Sequence, residues 1–443
     1  MTLFELDGRR IAVVNWRDPW HPAAGGAECY AWQMASRLVR RGATVCFITS
    51  RAPGQRRRDR RDGVAVVRMG GRFSVYPLVL LWMLMHRRSF DAVADCQNGI
   101  PFFTPWVLPA RVPVFCVVHH VHDRQFGVHF PAWLAWVGRA LEGPVARWAY
   151  RKHACIAVSL STLRAMRERL HWSGPVYLVP NGISQLTQIT TQAPVAATGQ
   201  TSIVWVGRLV AHKRVIRVLD VASRLAGTGV TIHVIGRGPE TGPLAEQTVA
   251  RGLTEVVRLH GYLSEQDKTA LVASSLLHLN TSQGEGWGLC VLEAAALGVP
   301  TVAYDVDGLH DAVRDGETGW LVPSGGVVED VVEQALKELA DPARRARVQA
   351  ACRAWAACFG WDRSAERLAT LLSAAIQCGS SAGTGEEARL IRYRDVDGRW
   401  TTIAAGPVRD VIMEHASEAE ELREPTPLEC LLGHEVEEAG PRP

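Results

Sequence analysis

The sequence lacks any Cys-x-x-Cys pair, and its ten cysteines are scattered over 443 residues, which argues against a zinc module and a disulfide scaffold alike. Long apolar runs are missing too. The longest, Val75–Met85, falls short of the roughly 20 residues that span a bilayer. A secretory pattern is absent at the start, where Arg9 and Arg10 precede only the short run Ile11–Val14. These absences predict a reduced, cytosolic protein. What remains is ordinary globular material: 47% hydrophobic residues, enough for sizeable cores, in a length that suits two or three domains at roughly 100–200 residues each.

The net charge of +4 hides an asymmetry. Residues 1–185 carry 25 Lys and Arg against 11 Asp and Glu, whereas residues 381–443 carry 7 against 14. A basic N-terminal half suits anionic partners: phosphates, nucleic acid or an anionic membrane surface.

Organisation follows from the apolar runs. Arg10–Asn15 reads as a buried parallel strand, and a Pro- and Gly-rich loop follows to Gly26. Ala27–Arg41 has helical spacing and stops at Gly42, and Ala43–Thr49 is the next strand. Further short runs at 65–68, 92–94, 114–118 and 155–158 alternate with helical segments, which predicts a parallel sheet with helices on both faces. Residues 184–201 are uncharged and rich in Thr, Gln and Ala, as expected of a linker. The alternation then restarts, with strands predicted at 202–206, 231–235, 256–259, 276–279 and 301–303. The chain therefore divides into an N-terminal domain 1–183, the linker 184–201, a C-terminal domain 202–378 and an acidic, partly disordered tail 379–443. Within that tail, 388–403 suits a small hairpin. Two doubly wound sheets place their ligands at the carboxyl ends of the strands, and a cleft between the domains is the expected site.

Chemistry concentrates in Ser282-Gln-Gly-Glu-Gly-Trp-Gly-Leu289, a glycine-rich turn between a strand ending near Asn280 and a helix starting near Leu289. Backbone amides behind Gly284, Gly286 and Gly288 form a phosphate cradle at a helix N-terminus. Glu285 and Glu293 are separated by seven residues, and carboxylates there suit sugar hydroxyls. Gly207-Arg208-Leu-Val-Ala-His-Lys213 follows another strand, and its Arg208 and Lys213 suit a diphosphate. Gly236 and Gly238 lie in a third strand-end turn.

Taken in order, Gly207-Arg208 to Lys213, Ile235-Gly236-Arg-Gly238-Pro239, His260-Gly261-Tyr262, Glu285-Gly-Trp-Gly to Glu293, Gly298 to Val302 and Asp315 to Pro323 resemble the family 4 retaining glycosyltransferases. In the N-terminal half Gly25-Gly26-Ala27-Glu28, His119, Ala157-Val158-Ser159 and Val179-Pro-Asn-Gly182 resemble it too, so that the likeness covers about residues 9–375. The resemblance implies an α/β GT-B fold, two Rossmann-like doubly wound domains facing a cleft, with a short C-terminal extension. It also implies transfer of a hexosyl group from a nucleotide sugar to a glycan or lipid-linked acceptor, with no metal or other cofactor and no nucleic acid. By resemblance Arg208 and Lys213 hold the donor diphosphate. Glu285, with the amides of Gly286, Trp287, Gly288 and Leu289, meets the donor sugar and phosphate, and Glu293 meets the ribose. Gly25, Gly26, Gly207 and Gly236 let backbone approach the donor, Gly261, Tyr262 and Leu263 meet the base, and His119 sits beside the transferred sugar.

Some positions depart from the pattern. Arg214 follows Lys213 where the family usually has Gly. His119-His-Val-His122 offers three histidines for one role, and His120 and His122 also read as neutral core residues; no Cys or Glu at ligand spacing joins them as a metal site. Asp305-Val-Asp307 reads as a loop rather than a metal-binding motif, and no general base stands out.

Two other functions fit less well. A nucleotide-sugar epimerase would need carboxylates and histidines set for elimination. A catalytically silent sugar-nucleotide binder would not need Arg208, Lys213, Glu285 and Glu293 together. Six arginines between Arg51 and Arg61, the run Tyr76–Met85 and a Trp-rich stretch 126–148 admit two readings. They form either helices buried on the sheet beside a solvated loop, or a surface for an anionic lipid-linked acceptor at the inner membrane face.

Overall fold

The computed structural model describes residues 6–123, 125–184 and 201–378, together with the backbone of strands 389–394, 400–405 and 437–438. The predicted linker and most of the acidic tail lie outside the described residues, as does the tail's expected disorder.

Within these residues the first sheet has eight strands. They are β1 (Arg10–Val14), β2 (Thr44–Thr49), β3 (Arg58–Arg61), β4 (Val64–Arg68), β5 (Ala92–Gln97), β6 (Val114–Val118), β7 (Ala154–Ala157) and β8 (Val176–Leu178). The order is β3-β4-β2-β1-β5-β6-β7-β8, with every neighbour parallel except the edge pair β3–β4. Strands β5 and β6 are buried at every position, as both faces of a helix-covered parallel sheet require. Polar Arg58-Asp-Arg-Arg61 gave no strand signal. It pairs only at the edge, where exposed arginines do no harm and discourage pairing with another chain.

The helix Val75–Met85 buries Val75, Val79 and Met83 and no other residue. One buried residue in every four, at about 1.5–3 kcal/mol each, suffices to dock the helix. Leu78, Leu81, Leu84 and Met85 stay exposed. Trp133, Trp136 and Trp148 are likewise 59–70% exposed, so for these residues the surface reading holds and the buried one does not.

The second sheet has six strands: β9 (Ser202–Val206), β10 (Thr231–Ile235), β11 (Val257–Gly261), β12 (Leu277–Asn280), β13 (Thr301–Tyr304) and β14 (Gly319–Val322). All are parallel, in the order β11-β10-β9-β12-β13-β14. Its core gathers Trp205, Val218, Leu219, Ile232, Val234, Leu277 and Val302 between the sheet and the helix Arg217–Arg224.

By packing, the chain divides after Gly182 and again after Cys358. The second boundary corrects the expected domain end at 378. The helix Trp361–Cys378 belongs to the first unit, where it lies against the helix Gly26–Arg40. Arg37 Nε donates to Asp362 at 2.8 Å, and the Tyr30 and Trp361 rings meet edge-on at 6.1 Å. A side chain at Gly182 would collide with the Trp361 backbone, which accounts for that glycine in the Asn181-Gly182 turn. Further on, 389–394 and 400–405 pair antiparallel, as the hairpin reading expects.

Candidate functional site

In the second unit, strands β9 and β10 end in backbone that touches backbone. Gly207 N–H donates to the Ile235 carbonyl at 3.0 Å, and Gly236 N–H to the Gly261 carbonyl at 2.7 Å. Gly236 has φ +143°, and a Cβ there would collide with the Gly207 carbonyl oxygen. Only glycine meets both conditions. The strand ends are thereby drawn together, with Arg208 exposed on the turn between them.

Lys213 and Glu285 meet here directly. The Lys213 ammonium pairs with Glu285 Oε1, and the Ser282 hydroxyl donates to the same oxygen at 2.7 Å. Both side chains are largely withdrawn from water, at 14% and 16% exposure. Burial by itself would raise the Glu285 pKa. The Lys213 charge, the hydrogen bonds from Lys213 and Ser282 and the His212 charge outweigh it, and the carboxyl ends below its usual value. Burial would likewise lower Lys213, but Glu285 overrides it and the ammonium is held above its usual value. Arg208 opposes that rise, as a second cation close by must. Both partners are therefore charged at neutral pH.

Arg214 explains its own departure from glycine. It adopts the left-handed conformation, φ 46° and ψ 40°, that a glycine would take freely. The strain costs about 1 kcal/mol or more. Its guanidinium then donates to the carbonyls of Thr281 at 2.9 Å and Ser282 at 3.2 Å, and lies 4.2 Å over the Tyr304 ring. Hydrogen bonds from a charged donor, at about 1.5–3 kcal/mol each, exceed that strain. Thr281 Oγ1 also donates to the Lys213 carbonyl at 2.8 Å and accepts from Trp205 Nε1 at 3.0 Å. Arg214, Thr281 and Ser282 thus lock the Lys213 turn to the glycine-rich turn. Sequence reasoning missed all three in that role.

The glycine-rich turn runs Glu285, Gly286, buried Trp287 and Gly288, and Gly288 at φ +85° starts the helix Leu289–Ala296. Glu285 N–H donates to the Asp307 carbonyl at 2.9 Å. Glu293, on that helix, does not join Glu285. Its Oε2 accepts from Lys268 Nζ at 3.3 Å, and Lys268 also pairs with Glu265 at 2.7 Å. A cavity of about 90 Å³ opens beside Glu293, lined by Ile183, Val206, Lys268, Cys290 and Leu297 among others. Lys268 is a further residue that the motifs did not announce. After β11, Gly261 has φ +67°, Tyr262 is exposed and Leu263 packs against the core around Ile235 and Val272. Asp305 Oδ1 lies 2.6 Å from His310 Nδ1. Among the described residues no three His, Cys, Asp or Glu side chains are grouped to hold a metal.

In the first unit His119 follows β6 and is buried edge-on to Tyr30, with ring centres 5.1 Å apart. Burial, reinforced by neighbouring His122, pulls its pKa down to about 3, so the imidazole is neutral. Its Nε2 has no hydrogen-bond partner among the described residues. His122 is anchored instead: its N–H donates to buried Glu142 at 2.6 Å, and its Nδ1 lies 2.9 Å from the His120 carbonyl. Gly25 has φ −152°, a backbone any residue can take. Its N–H donates to Glu28 Oε2 at 2.7 Å, and Glu28 pairs with Arg17 at 3.6 Å. Gly26 then opens the helix Gly26–Arg40. Ser159 caps the helix Leu160–Glu168, accepting the Thr162 N–H at 3.0 Å. No helix among the described residues is long and apolar enough to cross a membrane.

Two family models match in tandem: glycosyltransferase family 4 over residues 24–185 and glycosyl transferases group 1 over residues 188–355. Alpha-D-kanosaminyltransferase of Streptomyces kanamyceticus is 28% identical over 297 residues, 61% of this chain and 74% of that protein. Phosphatidyl-myo-inositol mannosyltransferase of Mycobacterium leprae is 26% identical over 321 residues, 68% of this chain and 80% of that protein. Among solved structures, sucrose-phosphate synthase of Thermosynechococcus elongatus matches with a TM-score of 0.71 at 17% identity, over 84% of this chain and all of that one. Anabaena HepE, solved with UDP and glucose, matches with a TM-score of 0.64 at 19% identity, over 83% of this chain and 100% of that one. Two parallel α/β sheets, the two matched models and these likenesses agree: the chain belongs to the group 1, family 4 glycosyltransferases, has the GT-B fold and is a glycosyltransferase.

Proposed function

We propose that this enzyme moves a hexosyl group from a nucleotide sugar to an acceptor hydroxyl, with retention of configuration and without a metal ion. The observation that carries the reading is the Lys213–Glu285 pair, which joins the turn after β9 to the glycine-rich turn after β12 at the carboxyl ends of parallel strands. In the proposed reaction the bond between the anomeric carbon and the diphosphate breaks, and its electron pair leaves with the diphosphate oxygen. Arg208 and Lys213 stabilise the charge that develops there, the task a metal ion would otherwise perform. Glu285 keeps the ammonium charged and aimed. The acceptor oxygen forms the new bond on the face the diphosphate leaves, and its proton passes to a leaving phosphate oxygen, so no protein base is required.

The remaining roles are assigned on the same reading. Backbone amides from Gly286 to Leu289 meet the donor sugar and phosphates, Glu293 the ribose, and Gly261 to Leu263 the base. His119, Gly25 and Gly26 serve the transferred sugar and its phosphates from the first unit. A UDP donor has support from the HepE likeness, whose structure holds UDP. The acceptor we favour is a lipid-linked or cell-envelope glycan precursor met at the inner membrane face, because the first unit exposes Trp133, Trp136 and Trp148 near Arg139, Arg147 and Arg151.

Incubation with a panel of nucleotide sugars, read by NMR at the anomeric position, tests the reaction. Transfer or slow donor hydrolysis with the anomeric configuration kept supports it, inversion at C2 would mean an epimerase, and absence of both would mean a silent binder. Thermal shifts with UDP, GDP, ADP and dTDP identify the base. Activity should survive EDTA and Asp305→Ala; loss on chelation that magnesium restores would overturn the metal-free reading.

A further inference from the structure

A second pocket, of about 320 Å³, lies wholly within the first unit and takes no part in the chemistry above. It is lined by Trp20, Gly54, Gln55, Arg56, Asp59, Arg61 and Arg68. Its volume is at the small end of the roughly 300–1,000 Å³ that ligand sites occupy. The lining comes from the loop after β1, the segment after β2, the antiparallel edge strand β3 and the last residue of β4, so the pocket opens at the β3 edge beside the carboxyl ends of β1, β2 and β4. Trp20 shares its loop with Gly25.

Both nearby carboxylates are already occupied in holding arginines. Asp18, fully buried, pairs with buried Arg68 and accepts from Trp20 N–H at 3.0 Å and Gln55 Nε2 at 3.1 Å. Asp59 Oδ2 accepts from Arg61 Nε at 3.0 Å and Arg68 Nη1 at 3.5 Å, and its Oδ1 from the Arg60 N–H at 2.9 Å. Arg61 is further fixed by lying 4.0 Å over the Trp20 ring, which itself abuts Trp32 edge-on at 4.6 Å. Arg56 has no carboxylate partner among the described residues, and neither have Arg57, Arg58 and Arg60 around it. Three arginines thus line one pocket: Arg68 is held by Asp18 and Arg61 by Asp59, and Arg56 is left without a carboxylate partner among the described residues. Pre-positioned guanidinium groups match a phosphate oxygen pair in geometry as well as charge.

We infer that this pocket binds a phosphate group, and that the phosphate belongs to the acceptor. The second half of that statement rests on the transferase reading; the first does not. A phosphate there could come from a soluble phosphomonoester or from a phospholipid headgroup, and the chemistry of recognition is the same.

The test uses the full chain carrying Arg208→Ala and Lys213→Ala, which silences the other candidate anion site. Glycerol phosphate is titrated calorimetrically. Separately, the protein is sedimented with phosphatidylcholine vesicles with or without about 30% phosphatidic acid. Each is repeated after adding Arg56→Gln and Arg61→Gln, with buried Arg68 left intact and melting temperature as the control for folding. At least a tenfold loss of affinity for glycerol phosphate in that variant supports a soluble phosphate source. A tenfold loss confined to phosphatidic acid vesicles supports a headgroup source. Equal affinity with and without the two arginines, or binding to neither probe at 10 mM phosphate, overturns the inference, and the arginines then serve only to keep the β3 edge unpaired. Turnover is not read, so failure of the proposed sugar transfer leaves this result standing.

Discussion

The candidate site residues of the two sheets differ in charge. In the second unit a lysine and a glutamate neutralise each other away from water, and Arg214 stitches their two turns together through main-chain carbonyls. In the first unit His119, which follows β6, is kept uncharged by burial; the buried Arg68–Asp18 pair ties the end of β4 to the loop after β1, and the remaining arginines nearby stand on the edge strand and its preceding loop. A fixed charge in a low-dielectric setting is worth far more than an exposed one, whose pairings typically contribute about 0–1 kcal/mol. The difference teaches a division of labour. On the proposed reading the second unit stabilises one developing charge in one place, and the first offers an uncharged contact at His119 with basic and aromatic surface around it.

The sharpest way to break that comparison is to remove the fixed charge. On the proposed reading Lys213→Ala and Arg208→Ala should each lower kcat by about 10²-fold or more, because each would delete stabilisation of the leaving diphosphate. Lys213→Ala also strands a mostly dry carboxylate, which costs up to about 3 kcal/mol of stability. Lys213→Ala combined with Glu285→Gln should therefore recover much of the melting temperature and none of the turnover. Recovery of both would show that the pair is structural only.

The same pair sets a pH window. Glu285 is held below its usual 4.5, so its contribution to stability is complete above that value and is lost as pH falls through the lower folded pKa. Lys213 is held above its usual 10.5, so its contribution is complete below that value and is lost as pH rises through the higher one. The stability gap between wild type and the double variant should stay level from about pH 5 to 10 and narrow outside it. A gap that already narrows between pH 6 and 8 would mean that the two groups are not both charged at neutrality.

How much of this was legible depends on whether a residue's role is local. Lys213 and Glu285 stood out because strand-end turns with glycines announce themselves in sequence, and the alternation of apolar runs marked both sheets. Arg214 did not, since its role appears only once its left-handed backbone and the carbonyls of Thr281 and Ser282 are seen together. The strand β3 was invisible because an edge strand needs no apolar face. The helix Trp361–Cys378 packs with the first unit although it follows the second in sequence, because an amphipathic pattern says that a face is buried and not against what. Exposure of Trp133 and Trp136 was undecidable for the same reason: two tryptophans three residues apart suit a covered face or a bare one.

That bare face sharpens the first unit's side of the comparison. If it meets an anionic bilayer, Trp133→Ser with Trp136→Ser should weaken sedimentation with vesicles of about 30% anionic lipid by roughly tenfold at low salt, as each basic residue beside it adds only about 1 kcal/mol. Turnover of a soluble acceptor should not change. Unaltered vesicle binding would place the acceptor in solution.

The smallest expected effect is the absence of one. Because burial, with His122 adding to it, takes the His119 pKa to about 3, the imidazole is neutral across the range where an ordinary histidine would titrate near 6.5. Edge-on Tyr30 brings no charge, its own hydroxyl being pushed well above its usual range by burial. A contact from His119 to a sugar hydroxyl is then an ordinary neutral hydrogen bond, worth about 1 kcal/mol net, and its loss in His119→Gln should lower kcat/KM by no more than about tenfold. The logarithm of kcat/KM against pH should keep the same shape between pH 5 and 8 in wild type and variant. An inflection near 6.5 that wild type shows and His119→Gln lacks would mean that His119 carries a proton during turnover, and the contrast between the charged Lys213–Glu285 pair and an uncharged His119 would collapse.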